Sequence, residues 1–580
     1  MIILGIQLGH NATIALLKEG KIIRAVSQEK FDNIKNSSRF PEEAIKWALK
    51  DSQTYPEQID YIAICGETIY PHQIVLTEES SQGTSLTIKE YLKFYLSCKY
   101  TDLYWKYINF KNKKLTKKAR LYLTQLLARV LNLDNEEITK KMIFIKHHYC
   151  HAYSAYYSSP DRKVPALILT LDGSGDYSCA TVNIYDGKEG IKRIASTNWI
   201  YSPGYVYSNV TKFLGMKPLE HEYKVMGLAP YAKERIAKEV CDRVFKPLLW
   251  LERDGLTFRS KIPTNRLIVY LKQNLCGIRF DVIAGALQMW LEELVLQWVK
   301  NAISVTGIRN LYFGGGVFMN VKLNKRIMEL PEVEHCFFMP SCGDESNSFG
   351  ACYAVYKQKT GAEPLPLENL YLGPEYTNEE IKYYLINKLN PEKYHVEYYE
   401  DIEKKVAELL ANFQIVARFK GRAEWGARAL GNRSILGNPS DLKTFYEIND
   451  VIKQRDFWMP FAPSILDEDE EKYIKNLKKV KAPYMILAFD STELAQRDLK
   501  AALHQADKTL RPQIVYKEQN PDYWRLIKYF KDITGIGGVL NTSLNLHGYP
   551  LVATLDQLFF TLENSKLKYV AVGNFLIYKK

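Results

Sequence analysis

The feature that most constrains this chain is a strand–turn–strand segment that occurs twice. One copy runs Met1-Ile-Ile-Leu-Gly-Ile-Gln-Leu-Gly-His10-Asn-Ala-Thr-Ile-Ala-Leu-Leu-Lys-Glu-Gly20. The other runs Ala166-Leu-Ile-Leu-Thr-Leu-Asp172-Gly-Ser-Gly-Asp-Tyr-Ser-Cys-Ala-Thr-Val-Asn-Ile-Tyr-Asp-Gly187. In each, an apolar run enters a small polar loop, a second run leaves it, and a glycine turn follows. The copies lie too far apart for a solenoid repeat, so the pattern predicts a duplicated lobe. At 580 residues the chain also exceeds what one hydrophobic core fills, and two or three domains are expected.

Two such lobes facing one another resemble the actin-like ATPase superfamily, in which paired hairpins grip phosphates through backbone N–H groups and a carboxylate. The stretch 363–372 (Glu-Pro-Leu-Pro-Leu-Glu-Asn-Leu-Tyr-Leu) reads as a linker. It divides the chain into domains 1–362 and 373–580. Beyond it the pattern is again α/β, with helices at Asn378–Lys388 and 402–412 and strands at 414–419, 484–489 and 536–540. Between the hairpin copies, residues 88–130 are aromatic and Lys-rich, with Lys111, Lys113, Lys114, Lys117, Lys118 and Arg120. Residues 115–131 have helical apolar spacing, and a solvated helix face is expected there. A docking surface for an anionic partner or acceptor is the sharper alternative.

The longest apolar runs, 164–171 and Met142–Ile145, are too short to cross a bilayer. Residues 1–6 lack a basic start, so a cytoplasmic protein without membrane partners is expected. None of the nine cysteines forms a C-x-x-C pair, which argues against a zinc ribbon or a disulfide framework and predicts buried thiols. The net charge of +12 fits an anionic substrate or a nucleic acid without selecting either.

Three stretches carry chemistry. On a helix, His147 and His151 of His147-His-Tyr-Cys-His151 stack one turn apart, as two ligands of one metal require. Asp172 sits at the end of an apolar strand and Asp344 in a small-residue turn. Two imidazoles with two carboxylates suit divalent iron, manganese or zinc. His10 sits at the first hairpin turn, where a histidine is usually incidental; in a two-lobed cleft it would point toward the second hairpin and serve as a general base.

Gly314-Gly315-Gly316 follows an apolar strand and precedes Asn320. Glycines there let the backbone approach a phosphate or nucleoside closely. The densest cationic cluster is Arg418, Lys420, Arg422, Arg428 and Arg433, followed by Lys453 and Arg455. Arginines spaced by glycines suit forks aimed at phosphate better than a solvated helix face, with a structural ion-pair network as the alternative. Asn541 and Ser543 follow an apolar strand and would complete that pocket.

Together these motifs resemble the O-carbamoyltransferase family of the nodulation and tobramycin carbamoyltransferases. The matching stretches span nearly the whole chain: Leu4-Gly-Ile with His10, Glu29 to Lys35 with Phe40-Pro41, His147-His-x-x-His151-Ala, and Lys224-Val-Met-Gly-Leu-Ala-Pro. They continue through Gly314-Gly-Gly-Val with Asn320, Gly343-Asp344, Arg428-Ala-Leu-Gly-Asn-Arg-Ser-Ile-Leu, Pro460-Phe-Ala-Pro-Ser and Asn541-Thr-Ser. Asn11 stands where that family usually has aspartate.

The resemblance implies a first domain like the tRNA threonylcarbamoyl transferases and a YrdC-like second domain. It implies that carbamoyl phosphate and ATP, with Mg2+, give carbamoyl-adenylate in the second domain. The first domain then passes the carbamoyl group to the hydroxyl of a small-molecule acceptor such as a sugar, antibiotic or toxin. By this resemblance His147, His151, Asp172 and Asp344 hold the metal and His10 deprotonates the acceptor. Gly173, Lys224, Gly227, Gly314, Gly315, Gly316 and Asn320 meet the nucleotide. Lys35, Arg422, Arg428, Arg433, Lys453, Arg455, Asn541 and Ser543 handle carbamoyl phosphate. A homodimer would be unsurprising for such a protein. The alternatives are the same chemistry on a nucleoside or nucleic acid, and a non-catalytic actin-like ATP-binding module.

Overall fold

The computed structural model describes residues 1–69 and 101–580, with the backbone alone for 101–111, 113 and 451. Cys98, residues 88–100 of the Lys-rich stretch, and the side chains of Lys111 and Lys113 therefore lie outside the described residues.

Strands β1 (Ile2–Gln7), β2 (Thr13–Lys18), β3 (Lys21–Ser27), β4 (Tyr61–Cys65) and β5 (Met142–Ile145) form a sheet in the order β3-β2-β1-β4-β5. Strand β1 runs antiparallel to β2 and parallel to β4, which is parallel to β5. The second sheet contains β6 (Ala166–Gly175), β7 (Ser178–Tyr185), β8 (Lys192–Asn198), β9 (Asn310–Gly314) and β10 (His335–Phe338), in the order β8-β7-β6-β9-β10. Its senses repeat the first: β6 is antiparallel to β7 and parallel to β9, which is parallel to β10. The hairpin repeat of the sequence is thus the visible part of a duplicated α/β lobe with actin-like topology.

The central strands are apolar almost without interruption because helices cover them; Ile3, Leu4 and Ile6 have no exposure at all. Glycines set how closely those helices approach. A Cβ on Gly5 would stand 2.2 Å from the Ser348 carbonyl, and one on Gly350 would stand 1.8 Å from that of Cys150. Helix Asn347–Thr360 therefore lies directly on β1 and crosses helix His147–Tyr157 at backbone contact. Helix Phe280–Thr306 is long and apolar enough to cross a membrane by length and composition, which the sequence reading overlooked; 67% of its most apolar window is buried inside the fold. It packs against helices Glu222–Leu228, Glu234–Val240 and Val321–Met328.

The chain divides into two compact units. The first contains Met1–Ile23 and Asn36–Leu367, and the second contains Arg24–Lys35 and Glu368–Lys580. A single linker boundary does not express this, because the segment bearing Lys35 belongs with the later residues. The second unit is built on one eight-stranded mixed sheet. Its order is Tyr394–Tyr398, Phe575–Lys579, Tyr569–Val572, Val416–Phe419, Arg433–Gly437, Gly538–Ser543, Ala462–Leu466, Gln513–Val515.

The strand expected at 484–489 shrinks to Phe489–Asp490, and Met485 at φ 55° explains why that run cannot lie flat in a ladder. The strand expected at 536–540 begins later, as Gly538–Ser543, and so carries Asn541 and Ser543 within it. Of the eight described cysteines seven are buried; Cys276 is exposed, contrary to expectation.

Candidate functional site

Helix His147–Tyr157 starts directly after β5, and Lys146 at its start supplies no side-chain cap. Asp176, from the β6–β7 turn, fills that role: its Oδ2 accepts from the His147 backbone N–H at 2.7 Å. Gly175 leaves room for the imidazole, since a Cβ there would fall 2.1 Å from His147 Cγ. One turn on, His151 has no exposure. Their Nε2 atoms stand 3.1 Å apart.

Two carboxylates close on this pair. Asp172 lies within β6 rather than at its end; its Oδ1 accepts from Gly316 N at 2.8 Å, leaving Oδ2 3.5 Å from His147 Nε2. Asp344 Oδ1 is 3.4 Å from His147 Nε2 and 3.5 Å from His151 Nε2. One donor atom from each of the four residues lies within 4.8 Å of the others. Ligand bonds of about 2.1 Å at roughly tetrahedral or octahedral angles separate neighbouring donors by about 3.0–3.4 Å, close to these spacings. Asp344 Oδ1 is buried with no hydrogen-bond partner among the described residues. A divalent cation fits this donor set.

Burial alone would lower the His147 pKa, but Asp344, Cys65 and Asp172 hold it well above the imidazole range. Burial would raise that of Asp344, but His147 and then His151 hold it well below the carboxylate range. His147 Nδ1 meets the Cys65 thiol at 3.8 Å and His151 Nδ1 meets Ser346 Oγ at 3.5 Å. The middle histidine is different. His148 bonds to Thr170 Oγ1 at 2.8 Å and to the Ser178 carbonyl at 3.1 Å. Burial, then His147, His151 and Arg193, push its pKa well down.

The triple glycine passes beside these ligands. A Cβ on Gly315, at φ 103°, would be 2.4 Å from the Leu171 carbonyl, and one on Gly314 would be 2.7 Å from that of His151. Asn320 Oδ1 caps helix Val321–Met328, and its Nδ2 donates to Gln288 Oε1 at 2.8 Å. It therefore shapes this region through the helix and Gln288. Gly173 faces Tyr205, with 3.6 Å to a Cβ placed on it. Lys224 and Gly227 sit buried on helix Glu222–Leu228.

His10 is half-buried, and two carboxylates feel its charge. Burial raises the pKa values of Glu222 and Glu345, and His10 draws both down. Glu345 accepts from Asn11 Nδ2 at 3.2 Å and from Ser341. Sequence reasoning gave neither acid a role, although Glu222 falls in the charged stretch 220–231; adjacency to Asp344 was the available signal for Glu345.

In the second unit the expected phosphate residues divide. Arg433 has no exposure; it donates to the carbonyls of Lys420, Asn432 and Pro374 and lies over the Phe419 ring, so its fork is occupied by the fold. Arg418 and Lys420 pair with buried Glu403 at 3.3 and 2.8 Å. Arg422 meets Glu375 at 3.2 Å. Asn541 Nδ2 is taken by Ala429 O, Ser464 Oγ and Gln513 Oε1.

The remaining cations gather. Burial, then Arg455 and Lys35, push the Lys453 pKa well down, while its ammonium donates to Ser543 and Asn545 oxygens. Burial, then Arg428 and Arg455, do the same to Arg511. Lys35, Arg428, Lys453, Arg455 and Arg511 thus form one electropositive cluster. Arg511, in Thr509-Leu-Arg-Pro, was missed because no glycine spacing marks it.

A duplicated α/β lobe pair with four residues that could hold a metal ion, joined in sequence to an α/β unit with a buried cation cluster, defines a class of two-unit α/β protein with two candidate sites. Comparison with known families makes that class specific. The carbamoyltransferase N-terminus profile matches residues 2–353 and the carbamoyltransferase C-terminus profile residues 407–579, so the chain belongs to the carbamoyltransferase family and is a transferase. An uncharacterized protein of Methanocaldococcus jannaschii, MJ1051, is 30% identical, with 100% of this chain and 99% of that one covered. Nodulation protein NolNO of Sinorhizobium fredii is 28% identical, covering 98% and 79% respectively. The 3'-hydroxymethylcephem-O-carbamoyltransferase of Amycolatopsis lactamdurans is 29% identical over 46% of this chain and 48% of its own.

Proposed function

We propose that this protein is an ATP-dependent O-carbamoyltransferase. In the second unit water cleaves carbamoyl phosphate to carbamate and phosphate, and the carbamate oxygen displaces pyrophosphate from ATP to give carbamoyl-adenylate; the first unit moves the carbamoyl group onto an acceptor hydroxyl with release of AMP. The observation that carries the reading is the cluster of Lys35, Arg428, Lys453, Arg455 and Arg511. Burial, and after it mutual repulsion, depress two of its members, and a bound phosphate relieves such a cost. The kinship with a named O-carbamoyltransferase supports the acceptor being an oxygen.

His147, His151, Asp172 and Asp344 would hold a divalent metal, with iron preferred, and such an ion polarises a carbonyl oxygen. His10 takes the acceptor proton as the C–O bond forms, and Glu222 and Glu345 steady the imidazolium. The backbone of Gly314–Gly316 would receive the adenylate phosphate. Arg433, Arg422 and Asn541 hold the shape of the second-unit pocket.

Carbamoyl phosphate and ATP, supplied without acceptor, test this by mass spectrometry. Wild type should form carbamoyl-adenylate, and Arg428→Ala/Arg511→Ala should form it at least about 100-fold more slowly, as expected when two charge-assisted contacts are lost. Absence of the adenylate in wild type, or a full rate in the double variant, sinks the reading.

A further inference from the structure

The link between β4 and β5 occupies residues 66–141, whereas its counterpart between β9 and β10 occupies 315–334. The first lobe therefore carries an insertion that the repeated fold does not need, and helix Thr101–Leu131 lies within it. This helix walls a cavity of about 620 Å³, whose lining includes its Lys117 and Arg120, Glu67 and Thr68 after β4, Phe144 of β5, and Tyr177. The cavity lies at the carboxyl ends of the parallel strands β4 and β5, where α/β sheets place ligands.

The cavity adjoins the metal centre through one carboxylate. Asp176 Oδ2 accepts from His147 N at 2.7 Å and Glu67 N at 3.0 Å, while Oδ1 accepts from Thr68 N at 2.7 Å. Cys65, the last residue of β4, reaches His147 Nδ1. Its charge is positive. The Arg120 guanidinium sits 3.9 Å from the Phe144 ring centroid and donates to the Glu67 carbonyl at 2.6 Å. Both contacts fix it without neutralising it, and among the described residues no carboxylate pairs with it or with Lys117. The carboxylate on the lining, Glu67, is 3.9 Å from Lys146 Nζ. The volume falls within the ~300–1,000 Å³ of small-molecule sites, which favours a small ligand over a nucleic-acid strand.

We propose that this cavity receives the acceptor, and that the acceptor is a small alcohol carrying a phosphate or sulfate, gripped by Arg120 and Lys117. This rests on the carbamoyltransfer reading and narrows its acceptor to the anionic class. The test is calorimetric titration of the full chain in an Arg428→Ala/Arg511→Ala background, which disables the other anion cluster. The probes are glucose 6-phosphate, glucose 6-sulfate and glycerol 3-phosphate, each against its neutral parent. The anionic probes should bind at least about tenfold tighter than their parents. That preference should vanish in Arg120→Gln/Lys117→Gln and survive in Arg120→Lys/Lys117→Arg, which keeps the charge. No preference for any anionic probe, or a preference that outlasts the glutamine pair, overturns the inference. A stronger response to sulfate than to phosphate, or the reverse, tells the two oxyanions apart within it. Carbamoyl-adenylate formation by wild type, measured separately, reports on the reading beneath: its loss with anion binding intact sinks the transfer assignment and leaves the site.

Discussion

His147 and His151 hold their Nε2 atoms 3.1 Å apart with Asp344 Oδ1 facing both. One divalent ion per chain should therefore be found by elemental analysis, and His147→Ala or Asp344→Ala should lose it; full occupancy in either variant contradicts the four-donor set. The pH dependence follows from the carboxylates that keep His147 protonated above its ordinary range. A metal must displace that proton, so affinity in chelator competition should keep rising with pH beyond the normal imidazole pKa before levelling. An affinity already flat there would show that His147 is not a ligand. These four candidate residues were readable from local marks: helical spacing, an aspartate on an apolar strand, which lies within β6 rather than at its end, and an aspartate preceded by glycine. Arg511 and Glu222 were not, because only the fold brings them to their neighbours. Arg433 misled for the opposite reason: sequence counts charge but does not show the carbonyls of Lys420, Asn432 and Pro374 waiting for it.

At the scale of elements, the centre exists because helix Asn347–Thr360 and helix His147–Tyr157 cross at Gly350, bringing Asp344 to the histidines. Gly350→Ala puts a methyl 1.8 Å from the Cys150 carbonyl, and overpacking of this kind costs about 1–3 kcal/mol or more. Denaturant unfolding should show that loss together with weakened metal binding. Unchanged stability would mean the helices are free to part. The repeated hairpins and the regular helix Asn378–Lys388 were readable from periodicity. The strand expected at 484–489 failed on one residue, Met485, whose left-handed backbone has no signature in an apolar run. Glycine spacing hinted at phosphate forks near residue 421, yet Arg418 and Lys420 went to Glu403, a partner one helix earlier in the chain.

At the scale of the whole molecule, two compact units carry two sets of candidate residues, and the segment Arg24–Lys35 belongs to the second unit. Sequence showed the duplication and the family resemblance over almost the full length. It could not show that a segment inside the first hairpin lobe packs with residues hundreds of positions later, since that depends on long-range contacts. The central claim is a division of labour: the cation cluster makes the activated carbamoyl group, and the metal centre spends it. The direct measurement follows carbamoyl-adenylate and AMP together by quenched-flow mass spectrometry, with carbamoyl phosphate, ATP and glucose 6-phosphate as the acceptor probe supplied to wild type and His147→Ala. Adenylate that accumulates in His147→Ala while AMP release slows at least about 100-fold is the predicted result. Equal AMP release in both proteins, with no accumulation, would contradict the account.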